Sequence, residues 1–156
     1  MQTFLPYPDF RKSLACLDFK RCGKQGVEAK QIYDTVIGIR IGRTDIGWRH
    51  HPAVLMWLEN LDALALYYNT AREIWKSYGY QSTMPTLGYR TPVEMPWWFG
   101  NERFHAAHRS NLLRKNFGYY SIFGWTEPPD LPYVWPIQCR KGILTRNIKP
   151  QQEMNR

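Results

Sequence analysis

Residues 52–80 read PAVLMWLENLDALALYYNTAREIWKSYGY, and the architecture of the chain turns on them. Pro52 suits a first helical turn, where its missing N–H has no partner to lose, and Gly79 suits a stop. Between them Val54, Met56, Trp57, Leu61, Leu64, Tyr68, Ile74 and Trp75 wrap widely around a helical axis. The spacing predicts one long, central and buried helix.

Helical signals flank it. From Ser13, an expected N-cap, Leu14, Leu17, Ala29, Ile32 and Val36 form an inward stripe that Gly38 would end. A third helix is expected from Asn101, as NERFHAAHRSNLLRKN. Residues 1–10 hold Pro6 and Pro8 and should be extended. Residues 39–51 read as a basic loop, and residues 81–100, with three Pro and two Gly, as another loop. Prolines in EPPD and LPYVWP argue against a central strand. The last ten residues are polar and expected to fray. The expected fold is all-α: a compact single domain over residues 1–156, with three main helices joined by irregular, Pro-rich connections.

At 156 residues the chain can bury a core without staples. Three cysteines without a CxxC pair give no disulfide framework and fit a reducing compartment. No apolar run approaches the roughly 20 residues of a membrane span, and MQTFLPYPDF lacks the pattern of a signal peptide. A cytoplasmic protein is expected, nucleoid-associated or in a virus-infected cell. The net charge is +8, and it is blocked. Residues 1–50 carry nine Lys/Arg against five acids, residues 51–100 three against four, and residues 101–156 nine against four. Two basic segments around a neutral middle favour a polyanion partner over dispersed solubilising charge.

Inside the first helix lies DFKRCGKQGVE, residues 18–28. Asp18, Arg21, Gln25 and Glu28 fall three, four and three residues apart and share a face, with Lys24 beside them. Such a stripe is either a solvated face of ion pairs or a site. Gly23 and Gly26 each cost a helix interior about 1 kcal/mol relative to Ala. A solvated face gains nothing from them, whereas a helix approached closely by a ligand does. The histidines fall in two groups, Arg49-His50-His51 before the central helix and His105, His108 with Arg109 on the third. Adjacent His and HxxH spacing are weak support for zinc, and no metal or cofactor is expected. Phosphate contact and structural hydrogen bonding remain open for them.

The segments LDFKRCGKQGVEAKQI, GWRHHPAVLMWLENLDALALYYNTAREIWKSYGY, FHAAHRSNLLRKNFGYYSIFGW and LPYVWP resemble the pyrimidine-dimer DNA glycosylase/endonuclease V family, over roughly residues 1–136. The resemblance implies a compact all-α domain that cleaves the glycosidic bond of a damaged pyrimidine and then cuts the abasic site by β-elimination. It implies an α-amine nucleophile at the mature N-terminus and a partner Glu on the first helix. That Glu is carried to Glu28. The amine belongs to Met1, or to Gln2 if Met1 is removed; a side chain as large as Gln2 ordinarily blocks removal. Arg21, Lys24, Gln25, Arg49, His50, His51, His105, His108 and Arg109 are the expected DNA contacts. The partner is duplex DNA, no cofactor or metal is needed, and the protein is expected to be a monomer.

The implied chemistry is physically sound. A typical α-amine has a pKa near 8 against about 10.4 for Lys, so more of it is unprotonated at neutral pH. It can attack C1′ and form an imine, while a carboxylate stabilises positive charge on the sugar. Two other tasks fit the same residues: excision of a modified pyrimidine without strand cleavage, and DNA binding without catalysis.

Overall fold

The computed structural model describes residues 1–137. Six helices follow one another: α1 (Phe10–Ala15), α2 (Phe19–Arg40), α3 (Pro52–Leu55), α4 (Leu61–Ser77), α5 (Glu102–Lys115) and α6 (Phe117–Tyr120), the last running into a 3-10 turn at Ser121–Phe123. Among the described residues there is no strand, so the fold is all-α. The expectations for the polar last ten residues and for Cys139 lie outside the described residues.

Two of the expected helices are broken, and in each case a polar residue competes with the helix. The first is interrupted at Cys16–Asp18. Asp9 caps α1 by accepting from the Lys12 amide at 2.7 Å, and Asp18 caps α2 by accepting from the Arg21 amide at 3.0 Å. Ser13 is therefore not a cap; it is buried within α1, and its hydroxyl donates back to the Tyr7 carbonyl at 2.9 Å. Gly38 does not end α2, which runs to Arg40; Gly42 beyond it takes the left-handed φ of 85°. The central helix divides at residues 56–60, where i to i+3 bonds tighten the backbone, as from the Trp57 amide to the Val54 carbonyl at 3.1 Å. The tightening accompanies burial of Trp57, whose Nε1 donates to Thr3 Oγ1 at 3.1 Å. Asn60 turns its amide to the Glu94 carbonyl at 3.2 Å, and α4 restarts with Asp62 in its first turn. The stop at Gly79, with φ 89°, and the Asn101 cap on the Phe104 amide are where the sequence placed them.

α4 packs along α2, and α1 lies against α4. The core between them is aromatic, with the Trp57 and Trp98 rings edge to face at 5.0 Å. Its least ordinary part is the N-terminus. Residues 2–6 lie outside any helix yet are buried, threaded between α2, α4 and α5. The expected extended run over residues 1–10 is cut short by a bend from Pro6 to Asp9 and the start of α1 at Phe10. No neighbouring strand is there to pair with them, so side chains take that role.

Candidate active site

The backbone of residues 2–6 is bonded along its length. The Gln2 amide donates to Glu28 Oε2 at 3.1 Å. The Gln2 carbonyl accepts from Gln25 Nε2 at 3.1 Å, and Gln25 Oε1 accepts from the Phe4 amide at 2.9 Å. The buried Tyr67 hydroxyl is shared between the Phe4 carbonyl at 2.9 Å and Gln25 Oε1 at 2.6 Å. Leu5 is gripped on both sides: His108 Nδ1 accepts from its amide at 2.8 Å, and His105 Nδ1 donates to its carbonyl at 2.7 Å. Arg109 Nη1 donates to the Pro6 carbonyl at 2.8 Å. Residue 1 is thereby held beside Glu28 on α2.

Glu28 stands between two concavities. One, of about 320 Å³, is lined by Met1, Gln2, Phe4, Glu28, His51, Lys115, Tyr133 and Trp135. The other, of about 230 Å³, is lined by Phe4, Glu28 and Lys115 again, with Lys20, Arg21, Lys24 and Gln25. The first has an aromatic wall, in which the His51 and Trp135 rings meet edge to face at 5.9 Å. The second is cationic. Arg21 is tied to Asp18 at 2.6 Å, while Lys20, Lys24 and Lys115 carry no ion pair among the described residues. An acid beside residue 1, flanked by an aromatic wall and a basic groove, suits a polyanionic substrate that must present one planar group.

His51 belongs to this site. It caps α3, its Nδ1 accepting from the Ala53 amide at 3.0 Å. Burial, and then the positive charge of the N-terminal amine, push its pKa below the usual histidine value. It is neutral near pH 7, with its proton on Nε2. His50 is exposed on the preceding loop and lines neither concavity, and Arg49 donates to the Thr44 carbonyl at 3.1 Å.

Four of the expected DNA contacts are displaced. His105 and His108 are 0% exposed, Gln25 1% and Arg109 8%. Their polar atoms hold the N-terminal segment, and Arg109 is further paired with Glu102 and Glu127. What sets these side chains apart from a phosphate contact is that the groups named are already engaged within the fold, by backbone atoms of residues 2–6 and, for Arg109, by two carboxylates. Of the two glycines singled out in α2, Gly23 is explained differently. A Cβ on Gly23 would lie 3.0 Å from the Trp75 ring, so its close neighbour is an indole of α4 and not a ligand. Conversely, Lys115, Tyr133 and Trp135 line the site without having been singled out, and Lys20 lines it although it was not among the expected DNA contacts. The one available signal was that all four lie in or beside the segments LDFKRCGKQGVEAKQI, HRSNLLRK and LPYVWP.

A family model described as pyrimidine dimer DNA glycosylase matches residues 1–87. The chain belongs to that family. Membership makes it a DNA repair glycosylase, an enzyme whose substrate is DNA. The matched residues carry the N-terminal segment, Glu28 and His51, while α5 with its His105–Arg109 clamp lies beyond them. No curated protein and no solved structure matches the chain. Among the described residues, no helix of this glycosylase-family protein is long and apolar enough to cross a membrane.

Proposed function

We propose that the protein excises a damaged pyrimidine from duplex DNA and then cuts the strand at the abasic site, with the amine of residue 1 as nucleophile and Glu28 as its partner. The observation that carries this reading is the 3.1 Å hydrogen bond from the Gln2 amide to Glu28 Oε2, which sets residue 1 against that carboxylate in a cleft both line. The unprotonated amine attacks C1′ as the glycosidic bond breaks, and the base leaves with the bonding electrons and gains a proton. The amine loses its protons and the sugar opens to an imine. Removal of a C2′ proton then expels the 3′ phosphate. Glu28 stabilises the cationic sugar and serves as the proton acceptor. The lesion bond lies inside the base stack, so the nucleotide must leave the duplex. The wall of His51, Tyr133 and Trp135 offers planar surfaces for it, and Lys20, Lys24 and Lys115 hold the flanking phosphates.

The test is borohydride trapping on ultraviolet-treated duplex and, separately, on abasic duplex. A covalent adduct is expected on both, attached to residue 1 by mass spectrometry of the digested complex. Glu28→Gln should lose cleavage while retaining DNA binding. Cleavage that survives acetylation of the N-terminus would sink the amine mechanism. Base release without strand cutting would point to a modified pyrimidine as substrate. No adduct on either duplex, with salt-sensitive binding intact, would leave a DNA-binding module.

A further inference from the structure

The face of α2 opposite Glu28 borders a third concavity, of about 240 Å³, between Gly23 and Gly26 of α2, Arg72 and Trp75 of α4, and residues 81–84. Arg72 is 8% exposed. Its Nη1 donates to Thr86 Oγ1 at 3.1 Å, its guanidinium lies 5.7 Å from the Tyr68 ring centre, and its Nε has no partner. Among the described residues no carboxylate pairs with it. The comparison within the molecule is direct: the equally buried Arg109 holds two glutamates, and the half-buried Arg21 holds Asp18. A buried cation without a counter-charge is unfavourable, and nothing acidic lines this cleft to relieve it. The remaining polar lining is neutral, with Ser82 and Thr83 offering hydroxyls and Gln81 an amide. Gly26 borders the floor of the cleft, where a Cβ would make only an ordinary contact with the Arg72 stem, at 3.8 Å.

We propose that this cleft binds a phosphate group, with Arg72 as its charge partner and the Ser82 and Thr83 hydroxyls as neutral donors. The phosphate comes either from a nucleic-acid backbone passing behind α2 or from free phosphate, and one set of measurements separates the two. Thermal unfolding of the full chain is compared in chloride and in inorganic phosphate at matched ionic strength. Phosphate should raise the wild-type melting temperature by several degrees, because a ligand bound only to the folded state stabilises it. Arg72→Met should abolish the response. Thr83→Glu, which supplies a carboxylate within the same cleft, should melt higher without phosphate and no longer respond, and it serves if Arg72→Met fails to fold.

Binding to undamaged duplex across a salt series assigns the source. If the backbone is the ligand, the log–log slope falls by about one in the Arg72 variant, or in Thr83→Glu. If the slope is unchanged while the phosphate response is lost, the ligand is free phosphate. A wild-type protein indifferent to phosphate, with an unaltered slope in the variants, overturns the proposal. Neither readout involves base excision, so the result is independent of the amine chemistry.

Discussion

Gln25 does for the N-terminal segment what an adjacent strand does in a sheet. One amide supplies an acceptor for the Phe4 N–H and a donor for the Gln2 carbonyl. Replacing it by Leu leaves both backbone groups buried and unpaired, at about 1–3 kcal/mol each. Gln25→Leu should therefore lower stability by roughly 2–6 kcal/mol in urea unfolding. Its remaining folded fraction should still bind DNA through the surface lysines but give little trapped adduct, since residue 1 is no longer held against Glu28. A variant that unfolds as wild type would show that the clamp does not carry the segment. At this scale the sequence was half legible. Helical spacing put Arg21, Gln25 and Glu28 on one face, and they do line one concavity. Spacing does not tell which member is covered, because Gln25 is buried by a segment more than 20 residues away in the chain.

At the scale of the helix, two glycines of α2 separate a packing requirement from a mere tolerance. Both positions have ordinary helical φ, so Ala should gain about 1 kcal/mol of propensity at either. At Gly26 the new methyl meets the Arg72 Cγ at 3.8 Å, an ordinary contact. Gly26→Ala should raise stability by about 0.5–1 kcal/mol. At Gly23 the methyl lies 3.0 Å from two carbons of the Trp75 ring. That ring is stacked on Tyr80 at 4.1 Å and cannot retreat freely. Gly23→Ala should therefore lose the propensity gain to overpacking and come out neutral or destabilising, again by urea midpoint. Equal gains at both sites would show that the α2–α4 contact is slack. The helices themselves were legible as α2, α4 and α5, whose caps and stops at Gly79 and Asn101 are local chemistry. The breaks before Asp18 and at Asn60 were hidden, because a continuous apolar stripe outweighs a single polar residue until that residue's partner is known. Asn60 finds its partner 34 residues on, at Glu94.

Across the whole molecule, two histidines of α5 hold a residue a hundred positions earlier in the chain. No periodicity reports such a contact, which is why HxxH looked equally suited to phosphate. The clamp also makes folding sensitive to acid, with a definite sign. His108 accepts from the Leu5 amide through Nδ1, and protonation would turn that acceptor into a donor. Burial drives its pKa down to about 3, and burial also lowers those of His105 and His51. All three bind protons more readily when the chain is unfolded, so stability rises with pH wherever they are protonated only in that state. Their contribution is complete above the unfolded value near 6.5 and falls as pH drops below it, by up to about 1.4 kcal/mol per pH unit for each. The carboxylates with lowered pKa, Asp45 and Asp62, add their own loss only nearer pH 4. Urea midpoints should therefore be level from pH 7 to 8 and decline between about 6.5 and 4.5. His108→Gln retains an acceptor for Leu5 without a titrating ring, and should flatten that decline. Residue 1 is delivered to Glu28 by the same segment, so wild-type trapping should fade over the same window and persist further into acid in the variant. An unchanged slope in His108→Gln would mean that the acid sensitivity arises elsewhere and that the buried histidine is not the group that loosens the N-terminus.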